Sequence, residues 1–374
     1  MAVKPKLALI PSAYKASKVY SVLPSDGVGD FDFSRSGQAT RVNEDGLIET
    51  VDSNVPRLNY PMIDGVVSGC PSLLLEPQRT NSITHSNDFS QSIYGKINLT
   101  ITANEGISPD GTQNANLLVP NAAIGVRYLT NSTGSNLKTN TVFLKKKELR
   151  YVKVGNAQSN VLVDLENGTI SASSVSTNNF TIENYGNGWY RVSCFNTLDV
   201  NLQIQIFLGI DGSGSNIATN GTDGVYIYGF EIQNGSYPTS YIPTQGSQVT
   251  RVQEVCNNAG NDQVINSTEG VLYADIQPIT NNYINNVGGA ISSQFNLSDG
   301  NLNNGVNIRF RGTVIQCLYY NGSQYEAVLT YNNISVEETY KVAFLYKQND
   351  FKMYVNGVLV ELDTNGSIGS FTLD

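Results

Sequence analysis

Turn signals come so often in this chain that only short extended segments fit between them. Asn-Gly pairs recur at Asn167-Gly168, Asn187-Gly188, Asn220-Gly221 and Asn356-Gly357, and each offers the two positive-φ residues that a tight hairpin needs. Between such turns lie brief runs rich in Val, Ile, Tyr, Phe and Thr, the residues that fit a pleated surface. In Val225-Tyr-Ile-Tyr-Gly-Phe-Glu-Ile232 the period of two puts Tyr226, Tyr228, Phe230 and Ile232 on one face and Val225 and Ile227 on the other. A strand apolar on both faces belongs at the centre of a layered structure. The segment Phe351-Lys-Met-Tyr-Val-Asn-Gly-Val-Leu-Val360 reads as a hairpin closed by a type I′ turn at Asn356-Gly357. Charged residues make up 15%, and 34 glycines with abundant Asn, Ser and Thr fill the deficit, while helix-forming Ala-Glu-Lys-Leu blocks are scarce. The expectation is an all-β chain.

At 374 residues the chain exceeds the usual single domain, so two or three are expected. Residues 1–85 read as short extended pieces (Lys6 to Ile10, Lys18 to Leu23, Leu47 to Val51, Ser72 to Leu75) between turns and prolines. They hold too little apolar material for a core of their own, which predicts an extended attachment segment packed on a neighbouring domain, a partner chain or another protein. Residues 86–250 carry strands of sandwich type: Ile97 to Thr102, Thr141 to Leu144, Tyr151 to Val154, Val161 to Leu165, Trp189 to Phe195, Leu202 to Ile210 and Val225 to Ile232. Pro238 to Gly246 reads as an ordered connector, restrained by two prolines and pinned by Tyr241-Ile242. A second sandwich is expected over 265–374, from Gly270 to Ile276, Val306 to Phe310, Val314 to Tyr320, Tyr325 to Thr330, Tyr340 to Tyr346 and Phe351 to Val355. Its last residues, Phe371 to Asp374, leave it short of strands, so it is expected to be incomplete.

Composition excludes several classes of function. A net charge of -9 without a basic stripe argues against nucleic acid and anionic membrane surfaces. The one basic run, Lys145-Lys146-Lys147, reads as a solvated strand edge or turn. A single histidine, His85, is too few for a His-based zinc site and has no evident nucleophile to serve. Cys70, Cys194, Cys256 and Cys317 are widely spaced and form no CxxC, which reads as reduced thiols rather than a metal cluster or disulfide framework. No run reaches the ~18 apolar residues of a membrane helix, so no membrane insertion is expected. Pro11 cuts the first apolar run short of a secretory signal. The Asn-x-Ser/Thr sequons, among them Asn131, Asn167, Asn220 and Asn321, follow from an Asn/Ser/Thr-rich composition.

Sugar binding needs exposed aromatic faces with amide and carboxylate partners. Trp189, Tyr94, Tyr185, Tyr319 and Tyr320 are the candidates, each read as a core or interface residue before a stacking platform. A glycosidase would need two carboxylates flanking one bond, whereas Asp164, Glu166, Asp211 and Asp223 are scattered through turns. Asp211-Gly-Ser-Gly-Ser-Asn216 offers oxygen donors but lacks the spaced acids and terminal Glu of a calcium loop. The expectations are no enzyme activity, no cofactor and no metal.

Three stretches resemble modules of bacteriophage tail and head fibre proteins. The first is Asp30-Phe-Asp-Phe-Ser-Arg-Ser-Gly-Gln-Ala-Thr-Arg-Val-Asn43, Asp45 to Glu49, Asn54-Val-Pro-Arg-Leu58 and Ser72-Leu-Leu-Leu-Glu-Pro-Gln-Arg-Thr-Asn81. It resembles an N-terminal fibre module. The second, Ser86 to Ser90, Gly188 to Val192, Val225 to Gly229 and Ser236-Tyr-Pro-Thr-Ser-Tyr-Ile-Pro243, is similar to the carbohydrate-binding-like jelly roll that follows it, with Ile93-Tyr94 where that module often has Trp. The third, Gly270 to Ile276 with Tyr340 to Val360, resembles a concanavalin A/laminin-G-like sandwich. The resemblance implies a virion fibre or spike, assembled in the bacterial cytoplasm and often homotrimeric. It further implies attachment to other virion proteins through residues 1–85 and lectin-like domains turned toward host-surface glycans. A bacterial cell-surface adhesin is the competing class, and a capsule-degrading tailspike is disfavoured by the lack of an acid pair or a β-helix period.

Overall fold

The computed structural model describes residues 4–67, 69–132, 138–155, 160–172, 179–195, 203–278, 293–301, 303–332, 334–335 and 338–373. Among them strands are the regular elements and no helix occurs, so the chain is all-β. Leu202, expected to begin a strand, and Asp374 lie outside the described residues. Two compact units divide the chain. One comprises Tyr14–Ser17 and Phe33–Val255, the other Met1–Ala13, Lys18–Asp32 and Cys256–Asp374. Most of the expected attachment segment therefore groups with the sequence that follows it, and residues 18–32 group with the C-terminal part.

The larger unit is built on two antiparallel sheets. The first runs Leu99–Ile107, Gln113–Pro120, Val225–Asn234, Lys138–Lys146, Trp189–Phe195, Asn179–Asn184, and the second runs Gly95–Ile97, Tyr128–Ser132, Gln203–Ile210, Tyr151–Gly155, Asn160–Asp164, Thr169–Ala172. Alternate residues of both meet in one core. Leu118, Val142, Leu144, Val192 and Ile227 come from the first sheet, and Leu129, Val152, Val154, Val163, Ile206 and Leu208 from the second. Full burial of each such side chain contributes about 1.5–3 kcal/mol, which makes this sandwich the main apolar store of the unit.

Val225–Asn234 is central, paired with Gln113–Pro120 on one side and Lys138–Lys146 on the other. Its faces differ from the strict alternation that the sequence predicts. A bulge sets the two residues between Tyr228 and Glu231 against the single Val142 between Thr141 and Phe143, and Gly229 supplies the positive φ of 61° that it needs. Before the bulge, Tyr226 and Tyr228 face an aromatic cluster with Phe143, Trp189 and Tyr241. After it, Phe230 and Ile232 join Val225 and Ile227 in the inter-sheet core. The same shift turns Glu231 and Gln233 to the outer face, where both are fully buried.

That outer face is covered by the unit's own chain. Arg79–Asn81 and Val249–Arg251 pair with each other and extend the same sheet, Asn81 standing opposite Gln233. Tyr241 and Ile242, in the expected connector, are buried at 4% and 3% exposure. The Ala39–Val42 and Ile48–Val51 hairpin is tied on by the Thr40 hydroxyl, which donates to the Tyr241 carbonyl at 2.5 Å, and by the Ile48 N–H, which donates to the Pro109 carbonyl at 2.9 Å. The segment from Phe33 to Asn81 buries Phe33, Val42, Ile48, Val51 and Leu58, and with them the arginines Arg35 and Arg57. The Arg35 guanidinium donates to the carbonyls of Gly37, Val51, Asp52 and Val55.

In the second unit, Glu269–Ile276, Tyr340–Lys347, Phe351–Val355 and Val358–Asp363 form one antiparallel sheet, and Ser293–Ser298, Asn304–Arg311, Val314–Asn321 and Tyr325–Asn332 form another. Val342, Phe344, Tyr346, Phe351 and Met353 of the first share a core with Val306, Ile308, Ile315, Cys317 and Tyr319 of the second. Asn356 and Gly357 have φ of 51° and 83°, the expected hairpin turn. At the N-terminal end of this unit, Lys18 pairs with Asp32 across two short strands, with an ion pair of 3.2 Å.

Candidate functional site

The structure places each aromatic candidate where packing uses it. Trp189 is 2% exposed, and its indole Nε1–H donates to the Ile107 carbonyl at 3.0 Å, so packing covers nearly all of the ring. Tyr94 packs on Phe89 and Phe230 and donates its hydroxyl to the His85 carbonyl at 2.8 Å. Tyr185 stands edge-on to Phe143, and burial pushes its phenol up to about 12 despite the pull of Arg191. Tyr319 is fully buried among Tyr346, Phe351 and Phe371. Tyr320 pairs edge-on with the half-exposed Tyr325.

The acids are likewise engaged. Asp164 takes a two-pronged bond from Arg150 at 2.8 and 2.6 Å. Those hydrogen bonds, outweighing the cost of burial, hold its carboxyl at about 2, where a proton donor is of no use near neutrality. Glu166 bonds Lys146. Asp223 accepts from the Asn220 amide at 2.7 Å. Asp211 Oδ1 accepts from the Ser213 N–H and hydroxyl and from the Ser215 N–H, so the Asp211 to Asn216 loop spends its acid on its own turn. Among the described residues no group of three His, Cys, Asp or Glu side chains is placed to hold a metal.

His85 lies in the connection before the sandwich, its Nδ1 3.0 Å from the Thr84 hydroxyl. Cys194 and Cys317 are buried, Cys256 is partly buried and Cys70 is exposed. Burial pushes the thiols of Cys194 and Cys256 up to about 12.

Two features escape sequence reading. The first is a cleft of about 200 Å³ where the Ala39–Val42/Ile48–Val51 hairpin meets the first sheet, walled by Leu47, Ile107 and Pro109 and floored by Trp189. Lys145 and Asn187 also line it. The Lys145 ammonium lies 5.9 Å from the Trp189 ring centroid, within reach of its quadrupole. Lys145 stands on a central strand, not at a sheet edge, because Lys138–Lys146 has neighbours on both sides.

The second is a buried ionic network in the same unit. Arg57 donates to Glu254 through Nε at 2.7 Å, to Glu76 through Nη2 at 2.9 Å and to the Ser240 hydroxyl at 2.7 Å. Arg35 reaches Glu254 at 3.2 Å, and Arg251 reaches Glu76 at 2.7 Å. Alongside, Arg191 pairs with Glu231 at 3.0 Å, and Glu231 also accepts from the Thr141 hydroxyl, the Gln233 amide and the Ile242 N–H. All these charged side chains are at most 4% exposed. The available signal was an Arg or Glu set between Pro and apolar residues, as in Val55-Pro-Arg57-Leu58 and Leu75-Glu76-Pro77.

Burial pushes the Glu76 carboxyl up, but Arg251, Arg57 and the Ser240 hydroxyl and amide outweigh it and hold the group at about 2, against 4.5 when unperturbed. The stabilisation is therefore complete above pH 4.5 and is lost as the pH falls from there through about 2. Glu231, raised by burial against the pull of Arg191, titrates in the opposite sense, so a variant is needed to isolate Glu76. The stability gap between wild type and Glu76→Gln, read by urea unfolding with the sole tryptophan as probe, is expected to narrow steadily from pH 5 to pH 2. A gap independent of pH would show that Glu76 is not held as an anion.

Comparison with protein-family models and with curated proteins finds no match for the chain.

Proposed function

We propose that the chain is a structural virion protein of a bacteriophage, a head or tail fibre or spike component whose β-sandwich units face the host surface and adhere to its glycans. One observation carries the reading. The residues by which the first two stretches resemble fibre modules meet in space: Arg35, Arg57 and Glu76 from the first and Ser240 from the second belong to one buried network. The resemblance thus rests on side chains that interlock, a form of support that composition alone does not give. In this reading the protein is non-enzymatic and homotrimeric, and its N-terminal residues also bind other virion proteins.

The test is peptide mass spectrometry of purified particles with light scattering of the isolated chain. The expected result is the chain at a fixed copy number per particle and a trimer at micromolar concentration. Absence from particles would overturn the virion reading, and a monomer in solution would overturn the trimer.

A further inference from the structure

We propose that the cleft over Trp189 is a binding site for a single anionic sugar unit of the hexuronate type, its carboxylate held by Lys145. The sugar part rests on the glycan-adhesion reading above; the charge preference rests on the cleft itself. Of the three consecutive lysines, Lys146 is paired with Glu166 and Lys147 with Glu148. Among the described residues Lys145 has no carboxylate within ion-pair distance, and its ammonium lies over the Trp189 ring. Among the described residues no acid lines the cleft. Nearby Asp110 is already engaged by the Ser108 and Thr112 hydroxyls, the Asn114 amide and the Tyr228 hydroxyl. An ammonium between apolar walls sits at lower effective dielectric than one in water, so a carboxylate beside it gains more than at an open surface.

Size and shape narrow the class further. About 200 Å³ falls below the ~300–1,000 Å³ of sites for drug-sized ligands, leaving space for one ring and not for a chain. Leu47, Ile107 and Pro109 offer the C–H face of a pyranose an apolar wall. The exposed Asn187 at the mouth offers an amide to ring hydroxyls. The overall charge of -9 opposes anions at long range, but that repulsion is screened beyond about 8 Å at physiological salt.

The experiment is an NMR titration of the intact chain with glucuronate, glucose and acetate, repeated on Lys145→Gln and Asn187→Asp. Asparagine 187 has a φ of 51°, which Asp tolerates, so Asn187→Asp keeps the turn while adding a negative charge at the mouth. Trp189 fluorescence shows whether each variant is folded. Glucuronate is expected to bind at least about tenfold more tightly than either glucose or acetate, and each substitution to weaken it at least about tenfold. Equal binding of glucuronate and glucose, or of glucuronate and acetate, overturns the assignment. So does unchanged binding by folded Lys145→Gln, or no binding of glucuronate at about 20 mM. A chain found in particles that ignores glucuronate overturns only the cleft; one that binds glucuronate but is absent from particles overturns only the virion reading.

Discussion

Replacing Arg57 by methionine is expected to destabilise the larger unit by about 3–5 kcal/mol, the usual cost of removing one member of a buried, hydrogen-bonded ion network, although Arg35 still reaches Glu254 and Arg251 still reaches Glu76. Methionine preserves much of the side-chain volume, so the loss reads charge and hydrogen bonding rather than a cavity. Arg57 donates to Glu76, Glu254, the Ser240 hydroxyl and the Thr40 carbonyl, so its removal strips four acceptors together. Trp189, the only tryptophan, is buried in this unit and reports its unfolding in urea. The Arg57–Glu254 bond is lost in either single variant, so a double variant that adds Glu254→Gln is expected to lose less than the two single losses added together. A loss below about 1 kcal/mol for Arg57→Met would mean that the network is not what holds residues 33–81 in place.

Phe344→Ala is expected to cost the C-terminal unit about 3–5 kcal/mol, because a fully buried ring leaves a cavity that strand backbones close only in part. Phe344 is 0% exposed and packs with its ring tilted against that of Phe351, centroids 6.3 Å apart. Hydrogen exchange by mass spectrometry should show lost protection in Tyr340–Lys347 and in its neighbours Glu269–Ile276 and Phe351–Val355, with which it pairs. Unchanged protection in all three would place the weight of that core elsewhere.

Those strands were legible in the sequence because each alternates and ends at a turn. The Asn356-Gly357 hairpin and the central position of Val225–Asn234 follow from local pattern alone. Gln113–Pro120 was not legible. Its first residues, Gln-Asn-Ala-Asn, look like loop, yet Asn116 is buried and donates to the Asn87 carbonyl at 2.9 Å. Tertiary pairing overrides propensity there. The bulge at Gly229 was missed because a period-two reading carries no register correction, and only the partner strand shows the extra residue. At the cleft, sequence singled out Trp189 and the lysine run separately. What joins them is the pairing of Lys145 with Trp189 across adjacent strands, a long-range register that no local pattern encodes.

Residues 1–85 are expected to pack on a neighbour, and for Arg35 and Arg57 the structure shows what makes such contacts: ion pairs and hydrogen bonds to Glu254 and Ser240. Buried guanidiniums can do for irregular backbone what leucines do for a core, provided each donor finds an acceptor. Arg35 and Arg57 find theirs in carbonyls and carboxylates that are far apart in sequence.

The pair Arg35–Glu254 has a mechanical meaning. It joins a residue near the start of the larger unit to one near its end, 3.2 Å apart. Just outside that unit Asp32 accepts from the Asn258 amide at 3.0 Å, so the incoming and outgoing strands are tied side by side. Tension along the polypeptide can then pass from Arg35 to Glu254 without stretching the sandwich strands between them. The larger unit is thus a loop of chain clasped at its own base by Arg35 and Glu254.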